Sequence, residues 1–358
     1  MDGIDVAVCD FGAHPPAILA ARTVAFRPAV RAMLDQLRRD PDHYPSADLA
    51  RLDAVLGEAF AAAAMAVLAD TGRHASEIIA IGSHGQTALH RPEARPPHSL
   101  QIGDPNRIAA ATGILTVADF RRADLAAGGQ GAPLAPLLHQ ALLADPQENR
   151  VVVNLGGIAN LSILPARGGV SGFDTGPANC LLDHWYRQHH DGRYDRNGAW
   201  ATSGRCDADW LARLLDDAYF GQAPPKSTGI EYFSPAWLAD HLPAWAHERP
   251  ADIQATLLEL SAASIARAIQ SLPAEHRPAR VIACGGGVHN ARLLQRLGDS
   301  LGSVPVVSSA TLGLDPDHIE AMLFAWLARE RLAGRPLPTP SITGSRHAVL
   351  AGVVCQPA

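Results

Sequence analysis

Residues 172–179 read Gly172-Phe173-Asp174-Thr175-Gly176-Pro177-Ala178-Asn179, the residue order of a strand giving way to a helix. Val170 to Phe173 has the character of a strand, and Thr175-Gly176 that of a turn. Pro177 suits the first turn of a helix running on through Leu181, Leu182 and Trp185. Asp174 is therefore expected where a buried strand meets a helix N-terminus. A carboxylate held there by rigid elements, yet open to a ligand, can act as a base on bound substrate. The simpler reading is that Asp174 caps the helix. Glycines on both sides of the acid, and a second glycine-rich turn from Asn154 to Asn160, favour the functional reading because they leave room for a ligand.

The neighbouring segments build on this stretch. Val151 to Leu155, Gly156-Gly157 and Ile158 to Leu164 read as a β-hairpin with glycines where positive φ is needed, and the amides of such a turn can point at a phosphate. Helices are expected around Leu211 to Leu215 and after Ser234-Pro235, and an amphipathic core helix from Ile253 to Leu272. Arg280 to Cys284 reads as a strand entering Gly285, Gly286, Gly287, Val288, His289 and Asn290, followed by a helix from Ala291 to Leu301. A strand, a glycine run and a helix N-terminus together favour a bound nucleotide. Val304 to Val307 is a last buried strand, and Asp317 to Leu332 a helix with Glu320 near its start.

Upstream, Ile4 to Val8 alternates as an inner strand, and a proline-rich loop leads to Ser46, which can cap a helix from Leu49 to Leu68 closed by Gly72. Ile78 to Ile81 reads as a buried strand ending in the polar run Gly82-Ser83-His84-Gly85-Gln86-Thr87. Asp104-Pro105 starts a short helix that Gly113 stops. Ile114 to Val117 is another strand, ending in Asp119-Phe120-Arg121-Arg122-Ala123-Asp124. Gly128, Gly129, Gln130 and Gly131 offer a crossover, giving an α/β domain over 1–130 and a second over 131–358 that starts with a helix from Leu134 to Leu143.

Composition narrows the function. The chain has 358 residues, enough for two cores, and a net charge of −6 offers no field for nucleic acid or an acidic membrane surface. No apolar run reads as long enough to span a bilayer, and three acids with no base in the first ten residues argue against a secretory leader. Five scattered cysteines, none in a Cys-x-x-Cys pair, suit a reducing cytoplasm and argue against structural zinc. The 16 histidines include no pair at ligand spacing with an acid, which excludes a zinc-hydrolase pattern. Lys226 is the only lysine among 30 basic residues; either chemistry or chance retains it in Pro224-Pro225-Lys226-Ser227-Thr228-Gly229.

Taken together, HGQT (84–87), QIGD (101–104), DFRRAD (119–124), GGQGAPL (128–134), NLGGIANLS (154–162), GFDTGPAN (172–179), PPKSTG (224–229) and CGGGVHN (284–290) resemble anhydro-N-acetylmuramic acid kinase over nearly the whole chain. The resemblance implies the fold of sugar kinases and actin-like ATPases, two α/β domains around an interdomain cleft with ATP between them. It implies that ATP phosphorylates the six-position oxygen of 1,6-anhydro-N-acetylmuramic acid while water opens the anhydro bond, a step in cell-wall recycling. Asp174 would be the base that activates the water. Asn154, Gly156, Gly157 and Asn160 would form a phosphate turn, and Gly285, Gly286, Gly287 and Asn290 the adenosine side.

By the same resemblance His84, Gln86, Arg121, Arg122 and Asp124 line the sugar pocket. Either Arg121 or Arg122 would hold the lactyl carboxylate with its forked guanidinium. A surface arginine pair and a hydrogen-bonded loop histidine remain the alternatives for these side chains. Glu320 either orients the nucleophilic water or is simply an acid at a helix start. Magnesium is expected with the ATP, against the charge of the transferring phosphoryl group. The resemblance also implies a homodimer.

Two departures from the family pattern stand out. Of a first phosphate turn Gly-Thr-Ser-x-Asp-Gly only Met1, Asp2 and Gly3 are present, with Asp2 and Gly3 left as its nucleotide contacts, and Ile230 replaces the usual arginine after Ser-Thr-Gly. The expectation is therefore an upstream strand of about five or six residues, partner to Ile4–Val8, encoded before Met1. The alternatives are an impaired sugar-binding remnant or another sugar kinase of the same fold.

Overall fold

A computed structural model describes residues 3–13, 15–224 and 226–357. In chain order the strands are β1 (Ile4–Asp10), β2 (Ala17–Val24), β3 (Ile81–Gly82), β4 (Gln86–Arg91), β5 (His98–Ile102) and β6 (Thr116–Ala118). They continue with β7 (Arg150–Leu155), β8 (Ile158–Leu164), β9 (Ser171–Pro177), β10 (Arg280–Cys284), β11 (Val306–Ser308) and β12 (Val353–Cys355). The chain divides into two compact units, Met1–Leu138 with His318–Ala358, and His139–Asp317. The sequence reading put one boundary at 130 and left 131–358 together. The final segment instead joins the first unit, because β12 completes that unit's sheet against β6.

The first unit holds two antiparallel hairpins, β1 with β2 and β4 with β5, and a sheet in the order β12-β6-β3. β1 pairs along one edge with β2, Ile4 lying opposite Val24, a partner that the sequence did not disclose. Every residue of β1 is partly buried except the exposed Asp5. The supposed proline-rich loop contains both β2 and the helix Pro28–Arg39, whose Val30, Leu34 and Leu37 pack on Leu52 and Leu56. Ile78–Ile81 contributes only Ile81 to a strand, and Ile79 is 85% exposed. At Gly82 an added Cβ would overlap the Phe324 carbonyl, so only glycine lets β3 lie this close to the helix Ile319–Leu332.

The helix Ser46–Asp70 takes Ser46 as its first helical residue, with Pro45 at the cap position, so Ser46 does not cap it. Gly72 does close it, at φ +67. By length and composition this helix could cross a membrane, contrary to the sequence expectation, because the run Ala59–Ala69 carries no charge. Leu52, Leu56, Ala61, Ala63, Val67 and Leu68 of this helix are buried in the unit. Asp104 caps the helix Pro105–Thr112 through the Asn106 amide, and Gly113 ends it, as read from the sequence.

The second unit is built on the sheet β11-β10-β7-β8-β9. β7 runs antiparallel to β8 and parallel to β10, and its Val151, Val152, Val153 and Leu155 are fully buried, as a central strand covered on both faces requires. The helix Pro250–Gln270 buries Ile253, Leu257, Leu258, Leu260, Ile265 and Ile269 in the core beside this sheet. Trp185 and Trp210 lie in the same core, and their indole N–H groups donate to the carbonyls of Pro250 (2.9 Å) and His241 (2.7 Å). Each contributes its apolar area at about 25 cal/mol per Å² without leaving a donor unpaired.

β9 continues through Pro177, and the next helix, Asn179–His189, begins two residues later with Ala178 at its cap. Asp174 thus lies inside a strand and caps nothing; Pro177 ends the strand rather than opening the helix. Gly156 and Gly157 make the hairpin turn between β7 and β8 as expected, but neither adopts positive φ.

Candidate active site

The register of the second unit's sheet sets the site. Asn154 of β7 lies opposite Asn160 of β8, and Asn160 opposite Asp174 of β9. Directly paired residues share a face, so these three side chains form one row across three strands. The row depends on an irregularity at Ala159/Asn160, where Gly176 pairs with Ala159 and Asp174 with Asn160, leaving Thr175 as the extra residue. Such bulges re-aim side chains beside active sites.

Asp174 is half-buried and its carboxylate accepts a hydrogen bond from the Thr228 amide at 3.0 Å. Loss of solvent raises the carboxyl from its ordinary 3.8 to about 6, against the opposing pull of that amide. The carboxyl is therefore ionised at neutral pH but far more basic than a surface aspartate. Its main chain is tied as well: its N–H donates to the Lys226 carbonyl at 3.2 Å, and its carbonyl accepts from the Tyr219 hydroxyl at 2.6 Å. Tyr219 had no signal in the sequence. Thr228 and Lys226 belong to the Pro224–Gly229 motif, whose Pro225 lies outside the described residues.

Two glycine turns adjoin the row. The carbonyls of Gly156 and Gly157 accept from the amides of Asn179 (3.1 Å), Ala178 (2.9 Å) and Cys180 (3.1 Å), and Asn179 Nδ2 adds a bond to Gly156 at 2.7 Å. No described residue accepts from the amides of Gly156 or Gly157 themselves, so they remain for a ligand oxygen. Gly285 sits at φ +80, where a Cβ would overlap Asn154 Oδ1, and a Cβ on Gly287 would come within 2.5 Å of Leu155 Cβ. Gly286 instead faces open space. Asn290 caps the helix Ala291–Leu301 through the Leu293 amide at 3.0 Å, and His289 pairs with Asp317 at 2.7 Å. Ile230 packs against the first turn, 3.3 Å from where a Gly157 Cβ would stand.

A second polar cluster lies in the first unit. Arg121 donates to the Gly131 carbonyl at 2.7 Å and to His84 Nε2 at 2.9 Å, and the His84 ring stacks on Phe324 at 4.5 Å. Burial and the neighbouring guanidinium lower His84 to about 3, so its ring stays neutral and accepts at Nε2. Arg122 points outward and pairs with Asp119 at 2.6 Å. The two arginines that the sequence left equivalent are thus separated.

Asp124, expected to line the sugar pocket, is fully buried. Its two oxygens accept from the Gly131 amide and the Thr343 hydroxyl, both at 2.7 Å. It anchors the loop that holds Arg121. That loop, expected to be a domain crossover, is fixed within the first unit, where Gln130 also donates to the Thr343 carbonyl. Gln86 opens β4 half-buried and donates weakly to the Thr87 carbonyl at 3.4 Å. Glu320 lies in the first turn of its helix with solvent access, yet crowding protein atoms raise its carboxyl, opposed by Arg121. Gly3 packs against Val24 of β2, and Asp2 lies outside the described residues.

A family model described as anhydro-N-acetylmuramic acid kinase matches residues 1–357. The protein of that name from Xanthomonas campestris pv. campestris (strain 8004) is 51% identical over 358 residues, covering 99% of this chain and 94% of the relative. That from Xylella fastidiosa (strain Temecula1 / ATCC 700964) is 49% identical over 357 residues, covering 99% and 93%. A Shewanella oneidensis protein of the same name is 45% identical over 358 residues, covering 98% and 95%. Among solved structures, a ROK family glucokinase from Streptomyces griseus in complex with glucose and AMPPNP aligns over 86% of this chain and 90% of its own, at 12% identity and a TM-score of only 0.36. Matched along almost its entire length by the family model and by relatives at about half identity, the chain belongs to the anhydro-N-acetylmuramic acid kinase family.

Proposed function

We propose that this chain uses ATP to phosphorylate 1,6-anhydro-N-acetylmuramic acid while water opens the anhydro ring, releasing N-acetylmuramic acid 6-phosphate and ADP. The observation that carries the chemistry is the Asp174 carboxyl, raised to about 6 and set in one row with Asn160 and Asn154. A base so tuned is ionised at neutral pH and takes up a proton readily. Asp174 removes one proton from a water that attacks the anomeric carbon. The bond from that carbon to the six-position oxygen breaks, and that oxygen takes the terminal phosphoryl group of ATP. The remaining water hydrogen stays on the new anomeric hydroxyl, and Asp174 returns its proton to solvent. The leaving oxygen is captured by phosphorus, so one acid suffices.

The nucleotide phosphates are assigned to the amides of the Gly156-Gly157 turn, and the adenosine side to Gly285–Gly287 with Asn290. Magnesium enters as the MgATP complex. There the ion is carried by the substrate phosphates, as magnesium commonly is in kinases. Arg121 is the better candidate for the lactyl carboxylate. Its bonds to Gly131 and His84 fix the fork and leave N–H groups to spare, whereas Arg122 is committed to Asp119. Glu320 is assigned to orienting the water. We assign the reaction to the cytoplasm, where ATP is at hand.

Purified protein given MgATP and the anhydro sugar, with Asp174→Asn beside it, tests this reading. The expected result is the 6-phosphate plus ADP from the parent chain and a rate loss of roughly 10²- to 10⁴-fold in the variant. Near-normal turnover by the variant would remove Asp174 from the role of base.

A further inference from the structure

The single lysine of the chain closes a ring of hydrogen bonds around Asp174. Lys226 Nζ donates to the Tyr219 carbonyl at 3.2 Å and to the Phe220 carbonyl at 3.5 Å, and lies 4.6 Å from the centre of the Tyr219 ring. The Tyr219 hydroxyl donates to the Asp174 carbonyl, and the Asp174 amide donates back to the Lys226 carbonyl. Two residues on, the Thr228 amide reaches the Asp174 carboxylate. Asp174 sits on β9, the edge strand of the sheet, so outside β8 its backbone is held by this loop. Tyr219 is buried and is itself secured, since its amide donates to Asp217 at 2.8 Å and Asp217 also accepts from Trp237 at 2.9 Å.

We infer that Lys226 is a positioning residue for Asp174: its ammonium pins residues 226–228 to the Tyr219–Phe220 turn and thereby fixes the direction in which the carboxylate presents its free oxygen. The inference rests on the reading of Asp174 as the base. An ammonium on two carbonyls and an aromatic face is a local anchor, because the carbonyl oxygens and the ring face all attract the cation, and the Tyr219 carbonyl is held in addition by the Gln222 amide at 3.2 Å. Lys226 does not touch the reacting atoms; it acts through the loop. Displacing a base by about 1 Å costs on the order of 10²-fold in rate, whereas the glycine turns assigned to the nucleotide are held by other contacts.

The test compares Lys226→Met, which keeps the length of the side chain but loses its donors, with Lys226→Arg, which keeps them. Lys226→Met is expected to lower kcat roughly 10- to 100-fold with KM for ATP within about twofold of the parent. Lys226→Arg should recover most of that loss. Tyr219→Phe, which keeps the ring and removes only the hydroxyl, should lower kcat in the same direction by a smaller factor. Unchanged kcat in Lys226→Met, or equal losses in the Met and Arg variants, would overturn the inference while leaving Asp174 as the base. Near-normal turnover in Asp174→Asn would overturn both.

Discussion

Replacing Asp174 by Asn should slow the reaction and also stabilise the fold in a pH-dependent way, and the second effect tests the electrostatics without substrate. The folded carboxyl stands at about 6 against an ordinary 3.8, so between those values the folded chain holds a proton that the unfolded chain has lost. Wild-type stability therefore falls as pH rises through that window, and above it the ionised folded state carries a cost of about 3 kcal/mol. The Asp174→Asn change removes the titration and keeps an oxygen for the Thr228 amide. The amide's own desolvation cost does not vary with pH, so the informative quantity is the change in the variant-minus-wild-type difference. Between about pH 4 and pH 8 that difference should move by about 2–3 kcal/mol in favour of the Asp174→Asn variant, nearly all of it below about pH 6.5. Urea unfolding followed by tryptophan fluorescence suits the purpose, because five of the six tryptophans lie in the same unit as Asp174. A difference that stays constant across that pH range would refute the raised carboxyl and the account of how burial tunes it.

The same carboxyl sets the acidic limb of the rate profile: kcat/KM should rise with pH to a plateau, with its midpoint near 6, and an ordinary aspartate midpoint of about 4 would contradict this. Gly285→Ala should destabilise the protein by about 1–3 kcal/mol in thermal unfolding, since its positive φ and the Asn154 side chain both exclude a Cβ. Gly286→Ala, facing open space, should fold normally but weaken ATP binding measured by calorimetry; unchanged affinity would move the nucleotide away from this turn. Arg121→Lys should raise KM for the anhydro sugar about tenfold or more through loss of the fork, while Arg122→Lys should stay within about twofold; the reverse order would reassign the carboxylate site. Asp124→Ala should cost about 1–3 kcal/mol in unfolding free energy by leaving the buried Gly131 amide without its acceptor, while the Thr343 hydroxyl keeps the Thr339 carbonyl at 3.1 Å; a neutral effect would show that the loop is held otherwise.

Residue types recorded the strong local features. The hairpin over 150–164, the strand Arg280–Cys284 with its glycine turn and capped helix, and the helix Pro250–Gln270 are legible because apolar periodicity and glycine punctuation agree there. Ala17–Val24 was hidden because prolines flank it and none of its residues is fully buried, so no clean alternation marks it. The end of β9 was misplaced for a related reason: Gly176-Pro177 reads as a turn followed by a helix start, yet the bulge opposite Ala159/Asn160 carries the strand through to Pro177. Motifs singled out Asp174, the glycine turns and the Arg121–Arg122 pair, but residue types could not separate Arg121 from Arg122. That distinction comes from Asp124 and Gly131, which act on Arg121 through main-chain groups. Tyr219 was silent in the sequence because its contact with Asp174 runs through a backbone carbonyl, for which no residue type is diagnostic.

The most direct test of the central claim is mass spectrometry of the sugar product, formed from MgATP and 1,6-anhydro-N-acetylmuramic acid in water enriched in heavy oxygen and quenched early. Coupled ring opening and phosphorylation predicts a product that has gained a phosphoryl group and the elements of one water, with the heavy oxygen at the anomeric carbon and none in the phosphate. A phosphorylated product that lacks the elements of water, its anhydro ring intact, would contradict the account.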